Sequence, residues 1–193
     1  MKKKNLITAV ASVAMVGVIA VGSTLAYLTA TDDKLTNTFD FVKGGITVDL
    51  WETDGKTTIN KGTDEQTQLN YTNVVAGQKL TKDVNADVKT SVDAYVFIKL
   101  QETGDGAGLL DSAEVKGIWT PYEAVPGVYY TTVEVDTQGT EKTFNLDIFD
   151  EVTVPTTVSE ANASLKNIVI STAAIQTEGL TAQQAYAEIS SQL

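Results

Sequence analysis

A chain of 193 residues with no cysteine, no histidine and no arginine has room for an export signal and one domain with its own core. Its 14 lysines stand against 25 acids, a net charge of −11, and such a surface repels nucleic acid and anionic membranes. Lacking histidine, it has no Ser-His-Asp triad, no Cys-His pair and no HExxH zinc helix, and no GxGxxG, GxxxxGK[ST] or GxSxG occurs, so no catalytic set, cofactor or metal site is expected.

Lys2, Lys3 and Lys4 open the chain, and residues 5–31 carry no charge. The apolar run thins at Gly17, Gly22 and Ser23 and ends in Thr24-Leu25-Ala26. Charged start, apolar middle and small residues at the end are the order of a secretory signal. Small side chains at Thr24 and Ala26 are what a signal peptidase pocket accepts, so cleavage is expected between Ala26 and Tyr27. Residues 1–26 are then the signal, and residues 27–193 a single secreted domain. That cut removes three lysines and no acid, so the mature chain is more acidic still. The same run is long enough to cross a bilayer, which leaves an uncleaved anchor as the competing reading. Membrane contact is expected only through that uncleaved signal.

Beyond Tyr27 the hydrophobic period becomes two. Leu35, Phe39 and Phe41 alternate with Thr36, Thr38 and Asp40, and Gly44-Gly45 marks a turn. In residues 46–51, Ile46, Val48 and Leu50 share one face of a strand. Residues 52–68 are polar with two glycines and read as an exposed hairpin or loop. Tyr71, Val74 and Val75 form a short strand in this reading. Residues 79–89 put Leu80, Val84, Ala86 and Val88 on one face, and Lys82 interrupts it, as suits an edge position or a strand end. Residues 94–100 are apolar on both faces, the pattern of a central strand.

Residues 102–117 are a connection with a short helix near 109–115. Pro121 and Pro126 bracket a turn, and a strand starts at Val128. Residues 142–149 alternate, with Phe144, Leu146 and Ile148 inward, and residues 165–176 form another strand. Thr181 and Gln184 have capping-box spacing for a helix over 182–192, with Ala185, Tyr186 and Ile189 as its apolar stripe. No second apolar span and no LPxTG-like signal follow, so no covalent wall anchor is expected there. Seven to nine strands without βαβ alternation predict an all-β, antiparallel two-sheet sandwich, jelly-roll-like, with a short C-terminal helix.

Four stretches in order, TLAYLTATDDKLTNTF (24–39), AGQKLTKD (76–83), DAYVFIKL (93–100) and AIQTEGLTAQQAY (174–186), resemble the TasA/camelysin proteins. These are surface proteins of Gram-positive bacteria with signals cut by a dedicated SipW-type signal peptidase. The resemblance spans nearly the whole chain, and its most specific part is the junction around Tyr27. It implies a sandwich fold, export to the cell surface or extracellular matrix, and self-association into biofilm filaments. In such fibres the freed N-terminal segment of one subunit adds as a strand to the next. Carried onto this chain, the donor is residues 27–41, with Tyr27, Leu28, Leu35, Phe39 and Phe41 as its apolar side chains. An exposed sheet edge carries unpaired N–H and C=O groups that such a segment satisfies. The same residues read equally well as the first strand of their own domain. Some camelysin-like relatives are labelled metallopeptidases; with neither histidine nor HExxH here, that activity is not carried over.

The competing function is a monomeric surface-binding module, with Trp51, Trp119, Tyr122, Tyr129 and Tyr130 as an aromatic platform; core packing is the blander role for these rings. Acidic loops at Asp105-Gly106 and at 147–151 raise calcium, but neither has the D-x-[DN]-x-[DN]-G spacing.

Overall fold

The computed structural model describes residues 29–32, 45–60, 69–137, 139–158 and 164–193. In chain order these form β1 (Thr29–Asp32), β2 (Thr47–Thr53), β3 (Thr58–Asn60), β4 (Lys79–Thr90) and β5 (Ala94–Thr103). There follow β6 (Thr120–Pro121), β7 (Val128–Val133), β8 (Lys142–Thr153), β9 (Asn167–Gln176) and helix α1 (Ala182–Ile189). One sheet has the order β1-β9-β5-β7-β6 and the other β3-β2-β4-β8. Every strand pairing in both is antiparallel. The sandwich with one short C-terminal helix is therefore as the alternating pattern predicts. The chain crosses between sheets repeatedly, and its first and last described strands lie side by side.

Alternation explains the layering. On β5, Val96, Ile98 and Leu100 point into the space between the sheets, where they meet Val48, Leu50, Val84, Ala86 and Ile148 from the facing sheet. The other face of β5 carries Tyr95 and Phe97 into a second core, closed by Ala185 and Ile189 of α1. β5 lies between β9 and β7, the central position its two apolar faces require.

Local chemistry sets the turns. Between β2 and β3, Asp54 Oδ1 accepts the N–H groups of Lys56 (2.8 Å) and Thr57 (2.7 Å), while Gly55 takes φ +84°. Those two bonds, that from Thr57 foremost, hold the Asp54 carboxyl below its ordinary pKa. Before β7, Gly127 has φ +78°, and a Cβ there would lie 2.6 Å from the Leu100 carbonyl oxygen. At the start of α1, Thr181 and Gln184 make the reciprocal capping box.

Three expectations change. No strand forms over Tyr71, Val74 and Val75: Asn73 adopts φ +57° and Gly77 φ +77°, which turn the backbone out of an extended path. The helix near 109–115 shortens to a single 3-10 turn, Leu110–Ser112, after which Ala113 is extended. The Glu102 carboxylate receives the N–H groups of Leu109 and Leu110 there, and Ser112 Oγ bridges to Thr153 of β8. Finally, Lys82 marks neither an edge nor a strand end. β4 is an interior strand, and Lys82 points inward and pairs with Glu52 of β2. The predicted strand over Leu35, Phe39 and Phe41 lies outside the described residues.

Candidate functional site

The site that the sequence points to is the N-terminal junction. Ala26, Tyr27, Leu28, Leu35, Phe39 and Phe41 lie outside the described residues. Between them, Thr29–Asp32 is described, as β1 at one edge of the five-stranded sheet. Its register on β9 pairs Thr29 with Ile175, Ala30 with Ala174, Thr31 with Ala173 and Asp32 with Thr172. On its other side β9 pairs with β5 over its whole length, from Asn167 to Gln176. Among the described residues, β1 thus meets β9 over Thr172–Ile175. Val169 of β9 is 42 % exposed on the outer face of the sheet.

This edge combines two chemistries. The first is the backbone of a strand, which recognises another extended segment through its N–H and C=O groups whatever that segment's sequence. The second is a cleft with an apolar floor and a polar, charged rim that opens beside it between the sheets. Ile168 and Ile170 of β9 form one wall, and Leu50, Leu80, Val84 and Val152 of the other sheet form the floor. At its rim, the Glu52 carboxylate meets the Lys82 ammonium and the Leu69 N–H, the latter at 3.2 Å. Both charged side chains are about nine-tenths buried. Tyr71 donates its hydroxyl to the Thr81 carbonyl oxygen at 2.7 Å. Burial, with the charges of Glu52 and Asp54 behind it, pushes the Tyr71 phenol above its ordinary pKa.

Sequence reasoning missed the Lys82–Glu52 pair. A usable signal was present: Glu52 continues the inward row of Val48 and Leu50, and Lys82 that of Leu80 and Val84. Opposite charges on the inward rows of two strands can meet once the strands are neighbours, as β2 and β4 are, with Glu52 opposite Val84.

The expected acidic loops separate. Asp147 and Asp150 of the 147–151 stretch converge with Asp83, their carboxylate oxygens within 4.8 Å of one another. Lys116 sits among them, 3.4 Å from Asp147 and also paired with Asp150. Desolvation first, then Asp150, raise the Asp147 pKa. The lysine already answers part of the charge that a cation would otherwise meet, and Asp105 is not in this group.

On the same sheet Asp49 of β2 stands directly opposite Asp87 of β4. Partial burial and then the Asp87 charge raise its pKa. A carboxyl raised in this way holds more protons folded than unfolded, so its ionisation costs stability as pH rises through the folded pKa. Asp49→Asn removes that cost. Thermal unfolding should show a higher Tm for the variant at about pH 7, shrinking towards none at about pH 3, where both states are protonated. A lower Tm at neutral pH, or an equal gain at both, would contradict this.

The five aromatics proposed as a platform do not come together. Trp119 is buried, with its indole N–H donating to the Asp147 carbonyl oxygen at 2.8 Å. Tyr122 and Tyr130 pack around Phe97 under α1, with ring centroids 6.2 and 5.7 Å from it. Tyr129 packs against the inter-sheet core and Trp51 lines the cleft. Packing thus takes up most of the rings that the platform needs.

Among the described residues no helix is long and apolar enough to cross a membrane. No family model, curated protein or solved structure matches the chain.

Proposed function

We propose that this protein is a secreted structural subunit of TasA/camelysin type that polymerises at the cell surface by exchanging its N-terminal strand. The observation that carries the reading is the β1–β9 edge. β1 is four residues long, Thr-Ala-Thr-Asp, and holds β9 through four residue pairs only. A strand of four residues gives up only four cross-strand residue pairs when it leaves its sheet. A second copy offers the same β9 to the same segment, so the strand pairing given up at home forms again on the neighbour. Exchange between identical sites is therefore nearly neutral over those four pairs.

Counted on in the β1–β9 register, a donated segment sets Leu35 opposite Val169. That pairing covers the exposed valine of β9. A head-to-tail exchange that does not close into a ring grows as a filament. In this reading, cleavage between Ala26 and Tyr27 by a SipW-type signal peptidase frees the end that is donated. Nucleic acid has no part in it; a mature chain with 11 lysines and 25 acids repels it.

Electron microscopy of the mature protein is expected to show filaments. Deleting residues 27–34 should leave a folded monomer, with unchanged near-ultraviolet circular dichroism, that no longer extends. Normal filaments from the deleted chain would sink the reading.

A further inference from the structure

We propose that Tyr122 and Tyr186 form an oxidative cross-linking site, where a dityrosine bond fastens helix α1 to the turn between β6 and β7. The inference stands apart from polymerisation, because neither tyrosine lies on β1 or β9.

Composition is the first reason. The chain has no cysteine, and its two methionines, Met1 and Met15, both fall in the expected signal. Those sulfur side chains are the usual targets of oxidants. Beyond residue 15, phenols and indoles are what is left to oxidise, and the Trp119 indole is buried. Without cysteine there is also no disulfide to staple the last helix.

Geometry selects the pair. The rings of Tyr122 and Tyr186 have centroids 4.5 Å apart and planes 35° from parallel. The other tyrosine pairs around Phe97, Tyr95 with Tyr130 and Tyr122 with Tyr130, stand edge-on at 6.3 and 6.4 Å. The rings of a dityrosine, joined by one carbon–carbon bond, are about as far apart as those of Tyr122 and Tyr186 already are. Coupling therefore asks the rings to turn and leaves the backbone where it is. Both side chains are half-buried, so each is held beside its partner while a face stays open to oxidant. Burial first, then the neighbouring Tyr122 phenol, push the Tyr186 phenol above its ordinary pKa.

The backbone presets this contact. The Tyr122 N–H donates to the Val128 carbonyl oxygen at 2.9 Å, and the Val125 N–H to that of Tyr122 at 3.0 Å. Buried Ala185 and Ile189 seat α1 on the same core.

The oxidant is hydrogen peroxide activated by a haem peroxidase. Each phenol gives up one electron and its O–H proton and becomes a phenoxyl radical. The two radicals join at the ring carbons ortho to oxygen, forming one C–C bond. Two C–H bonds then break, and their protons restore both phenols at oxygen. The peroxide takes up the two electrons and two protons, its O–O bond breaks, and two waters leave.

The test treats the mature protein with a haem peroxidase and limiting hydrogen peroxide, and recovers chains of single-chain size from a denaturing gel. Cleavage after lysine releases residues 117–142 and 167–193, and Tyr186 is the one tyrosine of the second peptide. The main product should be these two peptides linked, lighter than their sum by two hydrogen atoms, with fragment ions that place the link at Tyr122. Tyr122→Phe and Tyr186→Phe, which keep the packing, should each abolish it, and Tyr129→Phe should leave it. If a phenylalanine variant does not fold, the fragment ions of the wild-type product decide alone. The linked chain should unfold at a higher temperature than before oxidation, because the bond closes a long loop, and treated Tyr186→Phe should show no such gain. No linked peptide, a main link from Tyr186 to Tyr129 or Tyr130, links found only between separate chains, or a link without a rise in Tm would each overturn the proposal.

Discussion

Phe97→Ala is expected to destabilise the fold by about 3–5 kcal/mol, the usual cost of emptying a large aromatic site. Phe97 is fully buried between β5 and α1. Its ring meets Tyr122 edge-on at 6.2 Å and packs near Tyr130 and Tyr186 at 5.7 and 5.6 Å. Truncation removes the centre of this group and leaves a void that the tyrosines, spread over β5, β7, α1 and the turn after β6, fill only in part. Domains of this kind hold about 5–15 kcal/mol in all, so the variant should unfold at much lower urea. Phe97→Leu keeps most of the volume and should lose far less. A loss below about 1 kcal/mol for the alanine variant would mean that α1 does not close a core here.

The second large effect is expected at Glu52. Glu52→Ala leaves the Lys82 ammonium about nine-tenths buried without its carboxylate, and removes the acceptor of the Leu69 N–H. Losing one partner of a buried ion pair costs about 3–5 kcal/mol. Replacing both partners with apolar residues avoids the stranded charge, so Glu52→Leu with Lys82→Met should recover most of the loss. Equilibrium denaturation of the single and double variants measures both. A double variant no more stable than Glu52→Ala would show that the charge pairing itself, not the burial of an unmatched charge, sets the stability.

Most of the fold was legible because its signals are local. The run apolar on both faces at 94–100, the alternation at 142–149 and the apolar stretch at 165–176 mark strands, and Thr181 with Gln184 marks the start of α1 within a residue. What was not legible depends on pairs distant in sequence. Lys82 reads as an edge residue until β2 is known to lie beside β4, where Glu52 meets it. Trp119 reads as a platform ring until Asp147, distant in sequence, is seen to accept its N–H. The short strand at 71–75 fails for a local reason that composition hides, a left-handed Asn73. At the candidate site, the sequence marked the junction and its period of two. It did not show that β9 is the strand beside β1, nor that a cleft opens next to it.

The strand exchange has a direct test, which a chain without cysteine makes clean. Asp32 and Thr172 are cross-strand partners in the β1–β9 register, close enough for a disulfide when both become cysteine. Two single variants, Asp32→Cys and Thr172→Cys, are secreted separately, mixed, allowed to assemble and oxidised. Exchange of the N-terminal strand predicts a covalent heterodimer between them, and a ladder of linked chains when both cysteines are on every subunit. A double variant that links only within its own chain, with no heterodimer from the mixed singles, would contradict the account and leave β1 as an ordinary edge strand of its own domain.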